Sequence, residues 1–141
     1  MTNYEKSNNI QAVEYSRLSS KEFETLLKDL DRVKAGQDLL NYLCKKYKIA
    51  CIPLKVLNQP RKCKGNGQTY GFYKCIGGKG MSITIYNLTA KTGKKVAIKT
   101  FVHTLLHEFI HHYDTEFLKI QSTHTSGFYK RISDLQTKLE R

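Results

Sequence analysis

The sequence predicts an α+β fold: one or two N-terminal helices, a three-stranded, mainly antiparallel sheet, a long amphipathic helix and a closing C-terminal helix. Three observations carry this. Apolar residues recur at helical spacing from Phe23 to Tyr47, from Ile98 to Tyr113 and from Phe128 to Leu139. Between the first two runs, stretches rich in β-formers alternate with glycine turns. With 141 residues, the chain suits one domain with a modest core.

Residues 1–17 are polar and read as a mobile lead-in to a single domain spanning 18–141. Ser19 followed by Glu22 is a candidate capping box, and Phe23, Leu26, Leu27, Leu30 and Val33 continue a helical pattern. Gly36 is the expected interruption before Leu39, Leu40, Leu43 and Tyr47. Ile49 to Leu57 is a strand candidate, with Pro53 marking an edge or a bend. Gly65-Asn66-Gly67 signals a turn before a second strand, Tyr70 to Ile76. The glycines at 77, 78 and 80 turn the chain into Met81–Leu88, where Ile83 and Ile85 alternate with Ser82 and Thr84. That strand is the candidate cleft edge, where an extended peptide would add by backbone pairing. Lys91 to Lys95 leads into the long helix.

The long helix carries His107-Glu108-Phe109-Ile110-His111, a match to H-E-x-x-H. Positions i and i+4 lie one above the other on a helix, so both imidazoles can reach one ion. Glu108 projects from the adjoining strip, suited to act as a base without ligating the ion. A lone histidine on such a helix is usually an ordinary core or surface residue. Two at this spacing, with glutamate after the first, point to zinc. Ile98, Phe101, Val102, Leu105, Leu106, Phe109, Ile110 and Tyr113 form the opposite, apolar side.

A catalytic zinc takes three protein ligands and leaves one position open. The candidates for the third are His124, His112, Asp114, Glu116 and His103. His112 directly follows His111 and points about 100° away from it. Asp114 and His103 flank the ligand face, where either is placed to hydrogen-bond a ligand imidazole and fix its tautomer. His124 follows the polar segment Gln121-Ser122-Thr123, which lets the chain turn back toward the helix. His124 is the favoured ligand.

The run His107 to Asp114, followed by His124-Thr125-Ser126-Gly127-Phe128-Tyr129-Lys130-Arg131-Ile132, resembles the SprT-like (Spartan-type) zinc metallopeptidases of the H-E-x-x-H zincin clan. That family pairs its H-E-x-x-H helix with a downstream histidine in a pattern like H-G-x-x-F. The histidine-to-phenylalanine spacing is kept from His124 to Phe128, whereas the glycine is Gly127 and not the residue directly after the histidine. The resemblance is specific over residues 97–133. It implies a small zincin-like domain, zinc held by His107, His111 and His124, Glu108 as the catalytic base, and activity on proteins bound to or cross-linked on DNA.

The chemistry expected is amide hydrolysis. Zinc lowers the pKa of a water to about 7, and Glu108 takes its proton and passes it to the leaving amine. Tyr113 and Tyr129 are candidate oxyanion donors. The formal net charge of +12 adds a partner class. Arg61, Lys62, Lys64 and Lys74 interleave with Tyr70, Phe72 and Tyr73, and Lys94 and Lys95 precede the long helix. Cations beside aromatic rings suit phosphates and stacked bases, so non-specific contact with DNA, single-stranded above all, is expected beside a protein or peptide substrate. No motif for reading base sequence is present.

No stretch approaches the roughly 18 apolar residues of a membrane span, and the first residues lack the apolar core of a signal peptide. A cytoplasmic protein with reduced thiols follows as the expectation. Cys44, Cys51, Cys63 and Cys75 contain no C-x-x-C pair. Two other functions fit parts of the pattern. One is a repressor-cleaving (ImmA/IrrE-type) zinc protease of a mobile element, whose third ligand is usually a carboxylate, here Asp114 or Glu116. The other is a non-catalytic, zinc-stabilised nucleic-acid-binding module, against which Glu108 argues, because a purely structural site has no use for a base.

Overall fold

The computed structural model describes residues 1–60, 70–76, 79–89 and 93–140. In chain order these form α1 (Asn3–Asn9), α2 (Lys21–Leu27), α3 (Arg32–Lys46), β1 (Leu54–Leu57), β2 (Gly71–Ile76), β3 (Lys79–Tyr86), α4 (Ile98–Tyr113), a π-helical turn (Asp114–Leu118) and α5 (Ser126–Glu140). The α+β class is as expected. No helix among the described residues is long and apolar enough to cross a membrane.

α4 is the axis of the domain. Phe101, Val102, Leu105, Leu106, Phe109, Ile110 and Tyr113 are all buried along it. Its apolar side packs on β2 and β3, and α5 lies along another flank. α3 covers β1. Leu39, Leu40, Leu43, Ile83, Ile85, Phe128, Leu135 and Leu139 complete the core around α4. Burying one such side chain contributes about 1.5–3 kcal/mol, so this layer is what fixes the axis on which the site is built.

The helical stretch before the sheet breaks earlier than Gly36. α2 stops at Leu27, Asp29 takes a left-handed φ of 57°, and Asp31 caps α3 by accepting from the Lys34 N–H at 3.0 Å. Gly36 lies inside α3 instead, where a Cβ would stand 2.8 Å from Leu54 Cδ2. Close approach of helix to strand, and not a helix break, is what that glycine serves. The Ser19 capping box is also shifted: Ser20 holds the N-cap position without a side-chain cap bond.

The sheet is mixed, in the order β1-β3-β2. β2 pairs antiparallel with β3, but β1 pairs parallel with it, Leu54 opposite Ile83 and Val56 opposite Ile85. The connection over residues 58–70 is long enough to carry the chain from β1 to the opposite edge, and that length permits the parallel pair. Pro53, lacking an N–H, stands just before β1, and its carbonyl accepts from Ile83 N at 3.1 Å. β3 is therefore the central strand, with Ser82, Ile83, Thr84 and Ile85 buried in succession. The expectation that Met81–Leu88 forms the cleft edge is corrected by this placement; β2 borders the cleft.

The polar lead-in is also more ordered than its composition suggests. Thr2 Oγ1 accepts from Glu5 N at 3.1 Å and caps α1, which packs against α5 and buries Ser7.

Candidate metal centre

His107 and His111 project from one side of α4, and His124 approaches them from the segment between the π-helical turn and α5. Their ligand atoms all lie within 4.8 Å of one another, and His111 Nε2 is 3.0 Å from His124 Nε2. Nitrogen ligands of a tetrahedral zinc stand about 3.3 Å apart, a spacing that follows from Zn–N bonds of about 2.0–2.1 Å. The His111–His124 pair is close to that spacing, and the 4.8 Å span of the group puts all three imidazoles within reach of one ion. Phe128 forms the floor: its ring centroid is 5.1, 4.6 and 5.1 Å from those of His107, His111 and His124. The four-residue spacing from His124 to Phe128 thus places an apolar base under the triad.

Burial pushes His107 down to about 4, with the neighbouring His124 and His103 adding to the shift. Burial pushes His111 down to about 3, helped by His107, His124 and Arg131. Both are neutral at pH 7 and offer lone pairs, the state a metal ligand requires.

Hydrogen bonds fix which nitrogen of His111 is bare. Ser122 Oγ donates to Asp114 Oδ2 at 2.7 Å. Its single proton is thereby committed, so His111 Nδ1, 2.8 Å from the same oxygen, must carry the hydrogen and donate. Nε2 is then free of hydrogen and faces the triad. Asp114 is fully buried, and its carboxylate receives Arg131 Nε at 3.1 Å and Nη2 at 2.8 Å, on separate oxygens. Burial pulls the Asp114 carboxyl upward, while Arg131 and Ser122 pull it back. Three donors converge on its two oxygens, one on Oδ1 and two on Oδ2, an arrangement that suits the ionised form. Asp114 therefore acts on His111 through Ser122, not directly as the sequence suggests. The chain His111–Ser122–Asp114–Arg131 fixes the orientation of the His111 ring.

Glu108 is buried and lines the same cleft as the three histidines. The cleft measures about 460 Å³, and β2 contributes Gly71, Phe72, Tyr73 and Cys75 to its wall. Gly71 is required there, since a Cβ would meet Thr84 O at 2.6 Å and Thr104 Cγ2 at 2.9 Å. His112 points away from the triad, as its position predicts. Its Nε2 donates to Ala50 O at 2.8 Å and its Nδ1 accepts from Tyr73 OH at 2.9 Å, tying β2 to α4. A second cleft of about 500 Å³, between α2 and α3, is lined by residues such as Glu22, Asp38, Tyr42 and Lys45 and shares no residue with the triad.

Other sequence candidates fall elsewhere. His103 is exposed one turn before His107 and lies outside the ligand group. Neither Asp114 nor Glu116 joins that group. Tyr113 is buried and its hydroxyl accepts from Glu14 N at 3.1 Å, so it does not face the cleft as an oxyanion donor. Tyr129 is exposed, its ring 6.0 Å from that of His124 and 6.2 Å from that of His107. Lys74 is exposed on β2, and Lys94 and Lys95 are exposed just ahead of α4. Arg61, Lys62 and Lys64, with Cys63, lie outside the described residues. Cys44 is buried, and Cys51 and Cys75 are exposed; all three are free thiols.

Ser122 and Arg131 are the positions around the triad that sequence reasoning misses. Ser122 carries no signal in a polar linker. Arg131 does: it sits in the apolar stripe of α5, between Phe128 and Ile132, and a buried cation there demands a buried anion. No family model, curated protein or solved structure matches the chain.

Proposed function

We propose that the protein is a zinc-dependent metallopeptidase of the SprT-like kind, hydrolysing peptide bonds in the cleft between α4 and β2. One observation carries the reading: three imidazoles, two from α4 and one from the segment before α5, converge beside a buried glutamate in an open cleft. His107, His111 and His124 would hold the ion, which when bound supplies a Lewis acid that acidifies water and polarises the scissile carbonyl. The Glu108 carboxylate takes the proton from the attacking water and returns it to the leaving amine. Phe128 keeps the underside of the triad dry, which strengthens the electrostatics of the site. The β2 wall offers an extended surface along which a peptide can lie.

The carboxylate-ligand alternative is the less favoured reading, because Asp114 is engaged by Arg131 and Ser122 and neither it nor Glu116 joins the histidine group. The non-catalytic alternative gives no role to a glutamate buried against the triad. DNA-associated proteins as substrates remain part of the proposal through the net charge of +12 and exposed Lys74, Lys94 and Lys95.

The test is metal content of the purified protein, followed by cleavage of an unfolded protein substrate with and without chelator and single-stranded DNA. About one zinc per chain and chelator-sensitive cleavage are expected. Stoichiometric zinc with no cleavage in either DNA condition would remove the peptidase reading, and absence of metal affinity would remove the centre itself.

A further inference from the structure

We propose that α1 is a positioning element of this metal centre, a clamp on the segment that carries His124 and Ser122. The inference rests on the metal-centre reading above. Residues 119–125 form no helix or strand. Within that segment and its adjoining turn, the backbone bonds that shape it include those from Lys119 N and Ile120 N to Asp114 O and from Thr125 N to Thr123 O. A ligand on such a segment is well placed only if something outside it restrains the chain.

α1 supplies the restraint at three points. The Asn3 side chain brackets Gln121: Nδ2 donates to its carbonyl at 2.7 Å and Oδ1 accepts from its N–H at 2.9 Å. Ser7 Oγ and Thr125 Oγ1 are 2.9 Å apart and buried. Asn8 Oδ1 accepts from Gly127 N at 3.1 Å. These contacts fall on both sides of Ser122 and His124. Gly127 is what lets α1 approach, since a Cβ there would collide with the carbonyl oxygens of Ser7 and Asn8.

Arg131 then joins the clamp to the other ligand. Its Nη1 donates to Ser7 O and Ile10 O at 2.5 Å each, satisfying carbonyls at the end of α1. Its Nε and Nη2 hold Asp114, which holds Ser122 against His111. One guanidinium therefore couples α1 to both His111 and the His124 segment. A seven-residue helix does not persist by itself. Docking is thus mutual: α1 exists because it grips this segment, and the segment is ordered because α1 is there. By linkage, whatever factor α1 docking adds to metal affinity, metal must add to α1 docking.

The full-length Asn3→Ala/Asn8→Ala variant tests this, because both side chains lie at the periphery of the fold. Zinc affinity is read by competition with a chromophoric chelator, and coordination by the visible spectrum of the cobalt(II) form. Affinity is expected to fall by roughly tenfold or more. The melting temperature of the metal-free protein should change little. In the wild type, zinc should slow hydrogen exchange at the α1 amides. Wild-type zinc affinity in the double variant, or α1 exchange indifferent to zinc, would overturn the clamp while leaving the metal centre intact. A wild-type protein that binds no zinc would instead overturn the metal centre, and the clamp with it.

Discussion

Ser122 Oγ stands 2.8 Å from Nδ1 of His111 and can only accept there, because its own proton goes to Asp114. That direction of donation leaves His111 Nε2 bare toward His124. Ser122→Ala removes the acceptor and frees the ring to adopt the other tautomer. Zinc affinity is expected to drop by roughly 10–100-fold, the usual cost of losing a partner of a ligand. Chelator competition measures it. An unchanged affinity would show that the hydroxyl does not set the ligand.

Glu108 is separable from the ligands in its consequences. Glu108→Gln keeps size and burial but cannot accept a proton, so zinc binding should persist while turnover falls by about 10²–10⁴-fold. His111→Ala should lose both. Metal analysis and a peptide-cleavage assay on the same preparations distinguish the two; a glutamine variant that still turns over would eliminate the base assignment.

The buried Arg131–Asp114 pair should reveal itself as a cost of breaking one side only. Arg131→Leu leaves a fully buried carboxylate without its guanidinium, a loss of about 3–5 kcal/mol. It also releases Ser7 and Ile10 carbonyls at the end of α1. Urea unfolding of the metal-free protein reads the change. The double replacement Arg131→Leu/Asp114→Asn should recover part of it, since the stranded charge is gone. Equal stabilities for single and double variants would argue against a desolvated pair.

The legible part of this protein was whatever depends on one helix. His107, Glu108, His111 and the apolar stripe from Phe101 to Tyr113 share a single period, so spacing alone places them. The divergence of His112 followed from the same geometry. His124 was reachable because a polar segment precedes it and only a few residues can return to the helix face. What escaped depends on tertiary approach. The parallel pairing of β1 follows from where a long connection goes, which composition does not encode. Gly36 looks like a helix breaker from its neighbours in sequence, and only Leu54 explains it. α1 has no apolar stripe, its one large apolar side chain, Tyr4, being exposed, because it is held by amides, hydroxyls and a guanidinium. Ser122 matters through contacts 8 and 11 residues away, at Asp114 and His111.

The depressed histidines give the metal-free protein a defined acid weakness. His107 is pushed down to about 4 and His111 to about 3, against 6.5 in the ordinary imidazole. Between those values the unfolded chain binds more protons than the folded one, so stability falls as pH falls. The full contribution is present above about pH 6.5 and is lost as pH drops toward the folded-state values. A tenfold weakening of proton affinity on folding is worth about 1.4 kcal/mol, and partial exposure trims the total, so a loss on the order of 2–3 kcal/mol is expected between pH 7 and pH 4. Carboxylates elsewhere also titrate in this range, so the comparison is with His107→Gln, which removes one of the two imidazoles. Urea unfolding at pH 7, 5.5 and 4, with chelator throughout, should give a flatter profile for the variant than for the wild type. Parallel profiles would mean that the triad is already solvated enough to accept protons freely, and that its neutrality does not rest on burial.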